Sequence, residues 1–535
     1  MTVRDLLLAR ATDDRPALLA GERRWSWREY VGTAATRGRA LSAMLDPTRP
    51  PHVGVLLDNT PEMAFQLAAA GLGGHVLVGL NTTRRGDALL ADVRKADVQV
   101  LVVEDAHAGL LDGLDVDGVS VVNASADPWS SAAGTPPGSG TGAGAPSPAS
   151  PLGSDLFMLI FTSGTSGDPK AVRVTHEKVT HPGAYLTERL GLTRDDVHYL
   201  AMPLFHSNGV MAGWAPALTT GATMALAERF SARRFLTDVR RYGATYANYV
   251  GKPLAYVLAT PERPDDHDNP LRLVFGNEAG ERDTAEFARR FGCAVVDGFG
   301  STENAVVVSR VEGTPPGSLG QPFPGVAVLD PATGAECPRA TYDADGRVTN
   351  LDDCVGELVN TEGMGQFAGY YADDEATAER MRGGMYWSGD LAYRDADGWV
   401  YYAGRTADWL RVDGENLAAA PVERILLRHP AVSEAAVYAV PDPYAGDQLV
   451  AALVTTAPIG PGEWEAFLHA QPDLGTKAWP RFVRILEALP RTATNKVLKR
   501  ELRAAGVTRR AGSEVLWERQ ERGTAYRDDL GRSTP

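Results

Sequence analysis

Between about residues 15 and 125, short apolar runs alternate with segments whose apolar residues recur at helical spacing. Val53–Leu57 and Val98–Val103 predict buried strands, and Pro61–Leu72 predicts a helix between them. The most apolar long stretch, Met63 to Leu80, carries Gln66, His75 and several glycines. It predicts a buried helix, a turn and a buried strand, not a membrane span. Phe157–Phe161 predicts another strand, and the alternation continues through Val274-Phe275 and Ala294–Val296 to about Tyr402. From Gly404 the pattern is that of a smaller α/β unit. Pro421–His429 and Trp464–Ala470 read as helices there, with Ala435–Val440 and Leu449–Val454 as strands. Such alternation predicts an α/β protein of largely parallel sheets faced by helices. We expect a large N-terminal domain of layered sheets over 1–403 and a small mobile lid over 404–535.

Two stretches fall outside this pattern. Residues 125–151 are almost wholly Ser, Gly, Ala and Pro, a composition expected of a flexible surface connection. The last 25 residues are rich in Arg, Glu and Gly, and we expect them to be loosely ordered.

Composition narrows the possible partners. A chain of 535 residues exceeds what one core usually supports. The formal charge of -15 argues against nucleic acid or an anionic membrane as the main partner, although it leaves room for small phosphates. Cys293, Cys337 and Cys354 are too few and scattered for a disulfide framework or paired metal ligands, and they suit a reducing cytosol. The N-terminus shows no signal-peptide pattern, so a cytoplasmic location is expected. Only seven lysines occur, which makes each worth inspection.

The sharpest chemical signal is Phe161-Thr162-Ser163-Gly164-Thr165-Ser166-Gly167-Asp168-Pro169-Lys170. A buried strand runs into small hydroxyl and glycine residues, so backbone N–H groups can approach phosphate oxygens closely. Lys170 adds a point charge. The Walker P-loop needs GxxxxGK followed by Ser or Thr, and here Pro169 precedes the lysine and Ala171 follows it. His176-Glu177-Lys-Val-Thr-His181 spaces its histidines five apart, so they do not share a helical face as the zinc motif requires.

The Thr162–Lys170 segment resembles the phosphate-binding signature of the adenylate-forming superfamily, which contains acyl-CoA synthetases, luciferases and peptide-synthetase adenylation domains. Ser166 stands where the family usually has Thr, and Ala171 where it usually has Gly. Further segments match in family order across some 330 residues. Pro203–Gly209 resembles the aromatic-and-His segment that closes over the acyl group, with His206 at its centre. Asn277, Glu278, Ala279 and Gly280 resemble the turn that packs against adenine. Asp297-Gly298-Phe299-Gly300-Ser301-Thr302-Glu303 resembles the G-Y-G-x-T-E element. By that match, Thr302 binds phosphate and Glu303 holds Mg²⁺. Tyr386–Asp390 matches the segment whose Asp, here Asp390, accepts the ribose hydroxyls. Gly404–Asp408 resembles the interdomain hinge, with Arg405 towards ribose and phosphate. Pro490–Lys499 resembles the catalytic-lysine motif, which makes Lys496 the bridge between acyl carboxylate and α-phosphate.

The resemblance implies ATP-dependent conversion of a carboxylic acid to an acyl-adenylate, with pyrophosphate released, followed by transfer to CoA. Lys170, Lys496, Thr302 and His206 would serve the chemistry. The C-terminal domain would rotate between the two steps, bringing the loop at Gly414 towards the thiol. Leu80–Arg85, Asn248–Tyr256, Phe275–Asn277 and Val412–Asn416 are similar to fatty acid transport proteins and very-long-chain acyl-CoA synthetases. That likeness implies a bulky hydrophobic acid, with Val210, Trp214, Tyr249, Val250 and Gly276 lining its pocket, although Tyr249 and Trp214 read equally well as core aromatics. Many superfamily members carry Asp or Lys where this chain has Ala407. That leaves open an adenylation-only enzyme that hands its product to a partner, or one acting on an unusual acid. A non-catalytic fatty-acid carrier fits less well, because Lys170, Glu303, Asp390 and Lys496 are all present.

Overall fold

The computed structural model describes residues 1–126, 129, 150–162, 169–405, 409–412, 415–442, 446–491, 497–507, 515–520 and 523–528. The chain packs as two compact units. One comprises Met1–Ala305 with Met364–Arg380, and the other Val306–Gly363 with Met381–Pro535.

The first unit holds two predominantly parallel sheets. Its strands are β1 (Pro16–Ala20), β2 (Arg23–Ser26), β3 (His52–Leu56), β4 (Val76–Gly79), β5 (Val100–Val103), β6 (Ser120–Asn123) and β7 (Leu156–Thr162). They continue with β8 (Lys170–Thr175), β9 (Val197–Leu200), β10 (Thr223–Leu226), β11 (Tyr246–Val250), β12 (Leu273–Asn277) and β13 (Ala294–Gly298). One sheet runs β6-β5-β3-β4-β7-β8, with only β8 antiparallel. The other runs β13-β12-β11-β9-β10-β1-β2, with only β2 antiparallel.

Local chemistry sets the element boundaries. Helix Pro61–Gly73 starts on a proline whose missing N–H costs nothing at that position, and it ends at Gly74 with φ 74°. Helix Trp27–Ser42 starts at a capping box in which the Ser26 hydroxyl and the Glu29 carboxylate each accept the other's backbone N–H. The two helices meet backbone to backbone, since a Cβ on Gly38 would lie 3.2 Å from Gly73 Cα. Trp27, Tyr30, Phe157 and Trp214 fill the core beside them.

In the second unit, a mainly antiparallel sheet contains Met385–Arg394 and Val400–Arg405, paired so that Asp390 faces Arg405. A further sheet is built around Val432–Asp442, Gly446–Thr455 and Phe482–Ile485. The expected helices and strands of this region are present, with the first helix at Ala419–Leu426. The described residues 515–520 and 523–528 depart from the looseness expected of the chain end. Val515–Arg519 pairs with Phe482–Ile485, Trp517 is 2% exposed, and the Tyr526 hydroxyl donates to Pro480 O at 2.6 Å. Trp517 and Tyr526 anchor these residues despite the Arg and Glu content of the segment. Most of 125–151 lies outside the described residues. Among the described residues, no helix is long and apolar enough to cross a membrane.

Candidate functional site

The Thr162–Lys170 signature lies between β7 and β8. Five consecutive buried side chains, Phe157–Phe161, fix β7 in the core, and Thr162 pairs with Lys170 across the antiparallel ladder. The Thr162 hydroxyl donates to Lys170 O at 3.4 Å. Ser163, Gly164, Thr165, Ser166 and Gly167 lie outside the described residues. Ala171 is fully buried within β8 and is absent from the positive-φ residues, so the usual glycine is not required there.

A short stretch, Gly369–Tyr371, lies along the outer edge of β8. Tyr371 N–H donates to Ala171 O at 2.8 Å, and Arg173 N–H donates to Gly369 O at 3.1 Å. Tyr370 is thereby placed between two predicted site residues. Lys170 Nζ lies 5.2 Å from the Tyr370 ring centroid and 3.6 Å from Glu379 Oε2. The Tyr370 hydroxyl donates to Glu303 Oε1 at 2.8 Å. Burial pushes the Glu303 carboxyl up, but this hydrogen bond, a backbone N–H and the charges of Lys178 and Arg380 outweigh it. The net effect holds Glu303 below the usual carboxylate range. Lys178 is fully buried, and desolvation brings its ammonium down to about 7. A single hard, ionised carboxylate fits a magnesium ion that takes its remaining ligands from nucleotide and water.

The other predicted residues gather where the strands of the second parallel sheet end. Open α/β sheets place ligands beyond the carboxyl ends of their strands. Ser207 and Thr302 hydroxyls lie 3.0 Å apart. The Asn277 amide donates to Gly298 O at 2.6 Å, and Ala279 N–H donates to Asp297 Oδ2 at 3.0 Å, closing the turn expected to meet adenine. Within it Glu278 has φ 67°, a left-handed conformation that non-glycine residues adopt at a cost. No neighbouring atom lies within 4 Å of where a Cβ on Gly300 would sit. Phe299 and Ser301 complete the loop leading to Thr302.

A seven-residue π-helix, Asn208–Trp214, flanks this edge. Asn208 donates to Tyr249 O at 2.9 Å and accepts from the Asn248 amide at 2.7 Å. His206 packs at 4.5 Å from the Phe205 ring at the start of this segment. Of the expected pocket residues, Tyr249 and Gly276 are paired neighbours on β11 and β12, and Val250 ends β11. Val210 is fully buried in the π-helix. Trp214 has the surroundings of a core aromatic: it stacks on Phe157 and donates to the Tyr30 hydroxyl at 3.0 Å.

In the second unit, Asp390 is 5% exposed and is held by Arg405, whose Nε lies 3.1 Å from Oδ1. Asp390 N–H also bonds the Ser388 hydroxyl at 3.1 Å. Ala407, Gly414 and Lys496 lie outside the described residues. Lys499, in the same motif, instead pairs with Glu423 at 2.8 Å.

Residues 8–371 match the AMP-binding enzyme family, and residues 421–496 match the AMP-binding enzyme C-terminal domain. The chain belongs to the AMP-binding enzyme family. This AMP-binding enzyme is 54% identical to a medium/long-chain-fatty-acid–CoA ligase of Mycobacterium marinum, across 90% of this chain and 92% of that protein. It is 47% identical to a steroid-22-oyl-CoA synthetase of Rhodococcus jostii, across 94% of this chain and 90% of that one. Among solved structures, ATP-bound MatB from Rhodopseudomonas palustris superposes with a TM-score of 0.80 at 25% identity, covering 94% and 99% of the two chains.

Tyr370 and Lys178 were absent from the sequence-derived candidates for this AMP-binding enzyme. Tyr370 reaches Glu303 from 67 residues away, so no local pattern announces it. Lys178 did carry a signal, being one of the few lysines and one residue beyond His176-Glu177.

Proposed function

We infer that this AMP-binding enzyme is an AMP-forming acid–thiol ligase. It activates a carboxylic acid with ATP to an acyl-adenylate, releases pyrophosphate, and transfers the acyl group to CoA. The supporting observation is the line Lys170–Tyr370–Glu303 beside the Thr162–Lys170 turn, which gathers a cation, a hydroxyl and an ionised carboxylate at one place. The acid must approach a polyanion, so positive charge near the phosphates lowers the barrier. At about 4 Å and an effective dielectric of about 20, Lys170 supplies about 4 kcal/mol against one phosphate charge. Thr302 and the backbone N–H groups of residues 163–167 bind phosphate oxygens, and Asn277–Ala279 with Asp297–Ser301 receive the adenine. Asp390 accepts the ribose diol, with Arg405 beside it. Glu303 holds Mg²⁺, which neutralises phosphate charge when bound. Lys496 carries the acyl carboxylate to the α-phosphate, and Gly414 belongs to the loop that meets CoA. The acid is bulky and hydrophobic, a reading supported by the names of the two relatives, and His206 lies at its carboxyl end. The functional division falls near Gly404, with the hinge at 404–408, and the enzyme works in the cytoplasm.

Acid-dependent ATP–pyrophosphate exchange tests this function. Wild-type enzyme with a long-chain or polycyclic acid is expected to exchange, and Glu303→Gln and Lys496→Ala to reduce the rate at least about a hundredfold. Exchange unchanged in both variants contradicts the assignment.

A further inference from the structure

Strands Gly356–Asn360 and Met385–Arg394 pair antiparallel, in register at Glu357–Leu391 and again at Val359–Trp387. Between those pairs the first strand has Leu358 alone, and the second has Ser388, Gly389 and Asp390. The extra residues form a bulge, a device that turns a side chain out of its ladder position. Gly389 has φ 75°, a left-handed conformation that glycine adopts at little steric cost. Asp390, proposed above to accept the ribose diol, is the next residue.

A bulge takes N–H groups off the regular ladder, and here side chains receive them. The Gly389 N–H donates to Glu357 Oε1 at 2.6 Å. The Asp390 N–H donates to the Ser388 hydroxyl, which itself donates to Leu358 O at 2.7 Å. Glu357 is 3% exposed, and its second oxygen, Oε2, accepts from Arg382 at 2.8 Å. The Arg382 guanidinium lies 4.1 Å from the Trp387 ring centroid, at the half-exposed rim of the site. Burying a carboxylate is costly unless its oxygens find donors, and these two are divided between the bulge and the guanidinium. The carboxylate thus stands in for a ladder acceptor one residue before Asp390.

We propose that Glu357 is a positioning residue for the nucleotide: its carboxylate holds the Ser388–Asp390 bulge through the Gly389 N–H and thereby aims the Asp390 carboxylate at the ribose hydroxyls. Glu357 touches no substrate itself. When its contact is lost, the permissive backbone at Gly389 can turn, and Asp390 departs from the geometry that a vicinal diol requires. The proposal rests on the inferred role of Asp390 in ATP binding and deepens it.

The test compares wild type, Glu357→Asp and Glu357→Gln by acid-dependent pyrophosphate exchange with ATP and with 3′-deoxy-ATP. Thermal unfolding of each protein is measured alongside. Wild type should show a KM about tenfold lower for ATP than for the deoxy nucleotide, since a hydroxyl bound to a carboxylate is lost in the latter. Glu357→Asp keeps the charge but is one methylene short of Gly389. Its KM for ATP should rise about tenfold, with kcat and the KM for 3′-deoxy-ATP nearly unchanged, so the preference disappears. Glu357→Gln keeps the reach and an acceptor oxygen, while Arg382 can turn to solvent, so the preference should survive. A folded Glu357→Asp protein that retains the wild-type preference, with only its unfolding temperature lowered, makes Glu357 a structural anchor and overturns the positioning role. So does a folded Glu357→Gln protein that loses the preference. A wild type that uses both nucleotides equally overturns the ribose role of Asp390, and the positioning role with it.

Discussion

Glu303 stays ionised against its own burial because Tyr370, Lys178 and Arg380 all oppose the desolvation. Tyr370→Phe removes the hydrogen bond, so the carboxyl should shift upward and the acid limb of the pH–rate profile should move to higher pH. A limb that does not move would separate Tyr370 from the chemistry. Lys178 carries the converse strain. Its folded value of about 7 lies below the ordinary lysine value of 10.5, so the unfolded chain binds more protons between those limits. Stability therefore rises with pH across that window, and the penalty is complete below it. Lys178→Met should raise stability at pH 7 by up to about 4 kcal/mol, and the gain should fade as pH rises past the ordinary lysine value of 10.5. Unfolding measured at pH 7 and above that value checks the sign. The same variant should slow exchange, because Glu303 loses a supporting charge. At this scale the sequence offered candidates that sit inside local motifs, such as Lys170 and Asp297. It concealed Tyr370, whose role comes from a strand edge formed far along the chain.

The π-helix Asn208–Trp214 is crowded at two glycines, to different degrees. A Cβ on Gly209 would lie 2.3 Å from Pro203 O, a backbone atom that cannot turn aside. One on Gly213 would meet Leu200 Cδ2 at 2.9 Å and Asn248 Oδ1 at 3.0 Å, both side-chain atoms able to yield. Gly213→Ala should cost about 1–3 kcal/mol, and Gly209→Ala clearly more, by chemical denaturation. Equal costs would contradict this packing. Hydrophobic periodicity anticipated β3, β5, β7 and helix Pro61–Gly73 well, because each buries a continuous or regularly spaced apolar face. It did not anticipate the π-helix, which depends on Asn208 bonding to a strand about 40 residues away. Nor did it anticipate the strands among the described residues near the chain end, where Trp517 and Tyr526 are buried.

Across the whole molecule, the residues proposed for the two half-reactions are divided between the two compact units. Asp390 and Arg405 belong to the second unit, and Lys170, Thr302 and Glu303 to the first. Arg405→Ala should remove the guanidinium beside Asp390 and raise KM for ATP about tenfold, measured by exchange at varied nucleotide. The overall α/β class followed from strand–helix alternation. The chain-order match of motifs supplied the candidate site residues, because the segments proposed to bind nucleotide are local in sequence. The packing boundary, which returns Met364–Arg380 to the first unit, was not legible, since it depends on a segment pairing with β8. The central claim is acid activation followed by thioester formation, and product stoichiometry tests it most directly. AMP, pyrophosphate and acyl-CoA are quantified in one reaction containing enzyme, ATP, Mg²⁺, CoA and a long hydrophobic acid. The account predicts the three products in equal amounts, with none formed when the acid is omitted. Pyrophosphate and acyl-adenylate accumulating without acyl-CoA would contradict it.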